Sequence, residues 1–146
     1  MIVDMHRSDL WIAVHHGLQM ASESPVYANQ AMDREYSLNY LTKAFDAGVL
    51  FGVVDDATRG CMIGSVSASW SSPTPQASEW MLYVEPEHRG SGLASRLVNR
   101  FAEIARQRGA QKLYVGSSTG INDEGVRKLY ERLGFGSVGS ALVKEL

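Results

Sequence analysis

Cysteine is almost missing from this chain: Cys61 is the only one among 146 residues. No intrachain disulfide can form, and a reducing, cytoplasmic setting is expected. No apolar run approaches the ~20 residues that cross a bilayer, so no membrane span is expected. With Asp4 and Asp9 close to the start, the N-terminus does not read as a signal peptide. Charge of one sign is lacking too. Fourteen basic against sixteen acidic residues give a net charge of −2, without the basic surplus of a nucleic-acid binder. Neither Gly-x-x-x-x-Gly-Lys-Ser/Thr nor a full Gly-x-Gly-x-x-Gly occurs, which argues against nucleoside-triphosphate and dinucleotide folds. Metal ligands are absent at usable spacing. His15 and His16 are helix neighbours that point apart, and His6 and His88 have no companion. Cys61 has no histidine near it in sequence and reads as an inert structural thiol. No repeat, low-complexity tract or linker is found, so residues 1–146 are expected to form one domain.

What is present is organised around Trp80–Gly109. An apolar run, Trp80-Met81-Leu82-Tyr83-Val84, reads as a strand that Pro86 ends. A turn with Gly90 and Gly92 follows. Leu93, Leu97, Phe101, Ile104 and Ala105 then recur at helical spacing, and Gly109 stands where a left-handed cap is wanted. Such a strand–turn–helix can hold a phosphate. The first helix amides have no intrahelical partner, the helix dipole is positive there, and glycine lets an anion approach the backbone. Arg89 and the amides from Gly90 through Ser91, Gly92, Leu93 and Ala94 to Ser95 are the candidate donors. The same pattern also serves merely to pack a helix on a strand, so by itself it leaves both readings open.

The remaining elements are read in order. Ile2–Met5 is a short strand, and Ser8 or Asp9 caps a helix with Leu10, Val14, Leu18 and Ala21 as its apolar face. After a polar loop, a second helix runs from about Asp33 to Ala47 with Tyr36, Tyr40, Leu41, Ala44 and Phe45 inward. Strands near Val49–Asp55 and Met62–Trp70 precede the strand ending at Val84. A strand at Lys112–Ser117, a helix at Glu124–Leu133 and a strand at Phe135–Val143 complete the chain. The order β-α-α-β-β-β-α-β-α-β describes an α/β fold: a mixed central sheet with helices on both faces.

Arg89-Gly90-Ser91-Gly92-Leu93-Ala94 resembles motif A of the GNAT superfamily of N-acetyltransferases, Arg/Gln-x-x-Gly-x-Gly/Ala. Leu129-Tyr130-Glu131-Arg132-Leu133-Gly134-Phe135 is similar to that family's C-terminal Leu-Tyr-x-x-x-Gly-Phe. The two motifs stand in the family's order and span most of the chain. The resemblance implies a GNAT fold, acetyl-CoA as co-substrate and transfer of its acetyl group to a primary amine. It places the amides around Leu82, Tyr83 and Val84 on the acetyl carbonyl and pantetheine arm, and makes Tyr130 the general acid for the departing thiolate. By periodicity alone, Tyr130 is a helix tyrosine packed in the core. Glu79, acting through a water, or a water chain itself is the candidate base, because a lysine-like amine of pKa about 10.4 must lose a proton before it attacks. By alternation Glu79 shares a face with Met81 and Tyr83, and an edge carboxylate facing solvent fits it equally. Glu85 and Glu87 are read as solvated. An asparagine before the last helix often meets the coenzyme in relatives. Here Asn122 or Asp123 fills that place, or either is simply a helix cap.

The acceptor is left unnamed. In this family the first two helices and their loop select it, and here they offer Glu23, Tyr27, Asn29, Gln30 and Tyr36. A coenzyme-A-binding regulatory or interaction module without turnover is the alternative from another class. Only a short tail follows Phe135 where the family fold continues through two strands, and Gly136 and Gly139 break it. The sheet edge is therefore expected to be covered by a second copy in a twofold dimer.

Overall fold

A computed structural model describes residues 1–146. Its elements are β1 (Ile2–Asp4), α1 (Leu10–Glu23), α2 (Arg34–Asp46), β2 (Leu50–Asp55), β3 (Gly60–Ser67), β4 (Gln76–Val84), α3 (Leu93–Gln107), β5 (Leu113–Tyr114) and α4 (Asp123–Arg132). The strands lie in the order β1-β2-β3-β4-β5, antiparallel except for the parallel pair β4–β5. A parallel pair needs a crossover, and α3 supplies it.

Two apolar clusters sit on the two faces of the sheet. On one, Leu93, Leu97, Val98, Phe101, Ile104 and Ala105 of α3 pack on Phe51, Val53, Met62, Ala77 and Val84, and Tyr130 of α4 joins them. Phe101 stacks on Phe51 at 4.3 Å between ring centroids. On the other face, α1 packs Leu10, Ile12 and Ala13 on Leu50, Val54, Cys61, Ile63, Met81 and Tyr83. Helices thus cover both faces, as the alternation of elements in the sequence requires.

Three expectations change. α2 begins where expected, with the Asp33 carboxylate accepting from the Tyr36 amide at 2.9 Å, but it buries no residue fully. Leu41, Ala44 and Phe45 pack on the α1 face, whereas Tyr36 and Tyr40 are 67% and 54% exposed rather than inward. The strand at Lys112–Ser117 shrinks to Leu113–Tyr114. The strand at Phe135–Val143 does not form. Phe135 packs edge-on against Tyr130 at 5.1 Å, and beyond it Val138, Leu142 and Val143 are exposed. The serines and glycines between them disfavour a strand, and a two-residue β5 offers little ladder to extend.

Candidate active site

β4 carries an irregularity that sets the whole site. Ile63 pairs with Met81 and Gly64 with Glu79, so Trp80 is a bulged residue with no partner on β3. A strand alternates strictly, and one extra residue reverses the phase. Met81 and Tyr83 therefore face α1, while Glu79 faces α4. The alternation that put Glu79 on the face of Met81 and Tyr83 is overturned by this bulge. Gly64 permits it. A Cβ there would lie 2.1 Å from the Ser78 carbonyl oxygen and 2.7 Å from the Phe101 ring.

Pairing between β4 and β5 stops at Ala77–Leu113 and Ser78–Tyr114. Beyond it the sheet is split by a cleft of about 610 Å³. One wall is β4 from Glu79 to Val84, and the other is formed by Gly116–Thr119, Ile121, Asn122 and the Val126, Leu129 and Tyr130 side of α4. Beyond Ser78 the backbone of β4 has no β5 partner on this side, and the Val84 carbonyl accepts from Arg89 instead.

Inside the cleft the two catalytic candidates meet. Tyr130 Oη donates to Glu79 Oε2 at 2.8 Å, and the Gly116 amide donates to the same oxygen at 3.2 Å. Burial pushes the Glu79 carboxyl above its ordinary range, against the bonds from Tyr130 and from the Gly116 and Leu82 backbone, which pull it down. Burial also raises the Tyr130 phenol, helped by the neighbouring Glu79 charge and by the bond to it. The solvated-edge reading of Glu79 therefore fails: the carboxylate is held in the cleft by a tyrosine and an amide.

Of the remaining sequence candidates, Leu82, Tyr83, Val84, Arg89, Ala94 and Asn122 line the same cleft. Gly90, Ser91, Gly92, Leu93 and Ser95 form the turn and the first turn of α3 beside it. Gly90 and Gly92 have φ of +80° and +82°, and Gly92 caps α3 in the left-handed conformation. The amides of Gly90, Ser91 and Gly92 donate to no group of the protein, and those opening α3 lack intrahelical acceptors. Leu93 offers only its amide, since its side chain is in the core. Asn122 caps α4, its Oδ1 accepting from the Gly125 amide at 3.3 Å. Asp123 instead turns to the Ser117 hydroxyl at 2.7 Å and the Gly120 amide at 3.2 Å.

Other contacts were invisible in the sequence. Arg89 donates to the Val84 carbonyl at 2.9 Å and to Glu23 Oε2 at 2.8 Å, with its guanidinium 5.4 Å from the centre of the Tyr83 ring. Tyr83 Oη donates to the other Glu23 oxygen. Glu23 therefore anchors Tyr83 and Arg89 instead of standing free to meet an acceptor. The next residue, Ser24, donates to the Thr119 carbonyl across the cleft and accepts from the Val26 and Tyr27 amides. Partners lying 60, 66 and 95 positions away leave no local pattern to read. His16 is likewise brought to Cys61, Nδ1 to Sγ 3.2 Å, and lies 3.8 Å from Glu85, which is not fully solvated. Burial pushes the Cys61 thiol up to about 12, so it stays inert despite its histidine. No group of ligating side chains that could hold a metal ion is present.

The amino-acid sequence matches the acetyltransferase (GNAT) family model over residues 14–135. The chain belongs to the GNAT family. N-alpha-acetyltransferase 30 of Schizosaccharomyces pombe is 36% identical over 55 residues, 38% of this chain and 35% of that protein. An uncharacterised N-acetyltransferase of Methanocaldococcus jannaschii is 36% identical over 56 residues, 37% of this chain and 23% of that one. The chain thus spans about a third or less of these curated relatives. A predicted acetyltransferase of Clostridium acetobutylicum, solved with acetyl-CoA, shares the fold at a TM-score of 0.74 and 15% identity, covering 99% of this chain and 95% of that one.

Proposed function

We propose that this GNAT protein moves the acetyl group of acetyl-CoA directly to a primary amine, with Glu79 and Tyr130 as its proton-handling pair. The hydrogen bond between them inside the split sheet carries the proposal. The pyrophosphate would lie on the free amides from Gly90 to Ser95. The pantetheine arm would run along the β4 wall at Leu82, Tyr83 and Val84, with Asn122 rather than the engaged Asp123 on the opposite wall. A β4 amide would polarise the thioester carbonyl.

The protons balance as follows. Glu79 takes a proton from the acceptor ammonium, helped by the burial that raises its carboxyl pKa. The amine nitrogen attacks the carbonyl, the C–N bond forms, the C–S bond breaks, and the second proton lost by the nitrogen passes to solvent at the mouth of the cleft. With Glu79 charged, Tyr130 is a poor acid, because that charge is one cause of its raised pKa. Once Glu79 holds the proton, this penalty disappears. Tyr130 then gives its proton to the thiolate as Glu79 returns one to Tyr130, and both end as they began. Such a relay supports turnover over the binding-only alternative.

In a folded Gly92→Val variant the branched side chain must sit at φ +82° and where phosphate needs the backbone. Acetyl transfer to an amine panel is expected from the natural protein, and coenzyme affinity by calorimetry should fall at least tenfold in the variant. Unchanged affinity would remove the phosphate cradle. The buried, reduced Cys61 fits a cytoplasmic setting. The exposed β5 edge and the apolar Val138, Leu142 and Val143 support pairing with a second copy. A monomer by light scattering at high micromolar concentration would count against that dimer.

A further inference from the structure

Next to the catalytic cleft, on the α1–α2 side of β4, lies an apolar groove of about 330 Å³. Met20, Met32, Trp80 and Met81 line both cavities, so the groove adjoins the cleft across these side chains. Its outer wall is aromatic. Tyr36 and Tyr40, one helical turn apart on α2, stand 6.2 Å apart, and Tyr40 stands 6.1 Å from Trp80. Trp80 is fixed by donating from Nε1 to the Ser65 hydroxyl at 3.2 Å. No charged side chain lines the groove.

The bulge gives this arrangement its meaning. Glu79 and Trp80 are consecutive, with Cα atoms about 3.8 Å apart, yet one serves the cleft and the other floors the groove. The cleft passes through the split sheet, lined by Met20 and Met32 on the α1 side and by Leu129 and Tyr130 on the α4 side. An amine at Glu79 therefore has the aromatic trough next to it across Trp80. We infer that the acceptor is a primary arylalkylamine: one ammonium at Glu79, a short linker, and an aromatic body laid on Trp80 and Tyr40. The inference rests on the transferase reading above and names its acceptor class.

Charge separates this class from its rivals. A polyamine or an amino sugar would bring further ammonium groups to a groove with no carboxylate, and their desolvation would go uncompensated. The exposed tyrosine faces offer such a cation only a weak attraction. An aromatic body, by contrast, buries apolar area against the partly exposed faces of Trp80 and Tyr40.

The test compares 2-phenylethylamine and tryptamine with spermidine, kanamycin and a peptide with an apolar N-terminal residue, in acetyl-transfer assays with acetyl-CoA. The arylalkylamines should give a kcat/KM at least tenfold above the others. Tyr40→Ala, a change at an exposed helix position, should raise their KM about tenfold while coenzyme affinity by calorimetry stays the same. Equal or better use of spermidine, kanamycin or the peptide would overturn the inference, as would an unchanged KM in Tyr40→Ala. Direct binding of 2-phenylethylamine, followed by tryptophan fluorescence, separates the two levels. Binding that Tyr40→Ala weakens, without acetylation of any amine, would sink the transferase reading and keep the occupant of the groove. Acetylation of other amines with no arylalkylamine binding would do the reverse.

Discussion

Tyr130→Phe is expected to lower turnover by roughly 10²–10⁴-fold, the range typical for loss of a general acid, with little change in acetyl-CoA affinity. The phenylalanine keeps the ring in its place against Phe135 and removes only the hydroxyl that bonds Glu79. A second consequence has a definite sign. The bond from Tyr130 lowers the Glu79 pKa against the rise caused by burial, so its loss lets that pKa climb. The ascending limb of the residual pH–rate profile should move to higher pH, and in Glu79→Gln it should vanish. If the two residues work as the proposed relay, the double variant should be little slower than the worse single one. An unshifted limb in Tyr130→Phe would disqualify Glu79 as the base. Near-natural turnover with chemistry shown to be rate-limiting would reduce Tyr130 to a packing residue. Linkage adds a check on stability. A carboxyl with a raised folded-state pKa contributes stability below its unfolded pKa and loses it as pH rises through the folded value. Glu79→Gln should therefore be no less stable than the natural protein at neutral pH.

Gly64→Ala is expected to destabilise the protein by about 3 kcal/mol, the upper end of the usual range for overpacking. Its Cβ would meet the Ser78 carbonyl oxygen at 2.1 Å, and that atom belongs to the backbone of a central strand. The far neighbour, Phe101, is fully buried and stacked on Phe51, so neither obstacle can swing aside. Relief requires β3 and β4 to separate at the bulge, which moves Glu79 relative to Tyr130. Denaturant titration should show the loss of stability, and turnover should fall in whatever fraction remains folded. An alanine variant with natural stability and activity would mean that the bulge tolerates a side chain opposite it.

The sequence was most legible where physics acts locally. The period of α3, the glycines that turn the chain into it, and the start of α2 near Asp33 all depend on residues within a few positions of one another. Tyr130 and Glu79, chosen one through a motif and one through its place on β4, are brought together by the fold, while their roles stay a proposal. What escaped was either tertiary or a matter of phase. A bulge shifts a strand by one residue and leaves no mark on composition, so Glu79 was set on the wrong face. Tyr36 and Tyr40 recur with the core residues of α2, yet the helix rests on the sheet by its C-terminal half and leaves them open. At Phe135–Val143 apolar residues suggested a strand that serine and glycine do not sustain.

Glu23 and Ser24, at the end of α1, grip opposite lips of the split sheet: the carboxylate holds Tyr83 and Arg89, and the hydroxyl holds Thr119. Mechanically they form a brace across one end of the gap. The lips cannot part at that end without stripping a buried serine of its acceptor and two side chains of their shared anion. Widening must therefore pivot about the brace, and a long guest must thread past it rather than pry the strands apart.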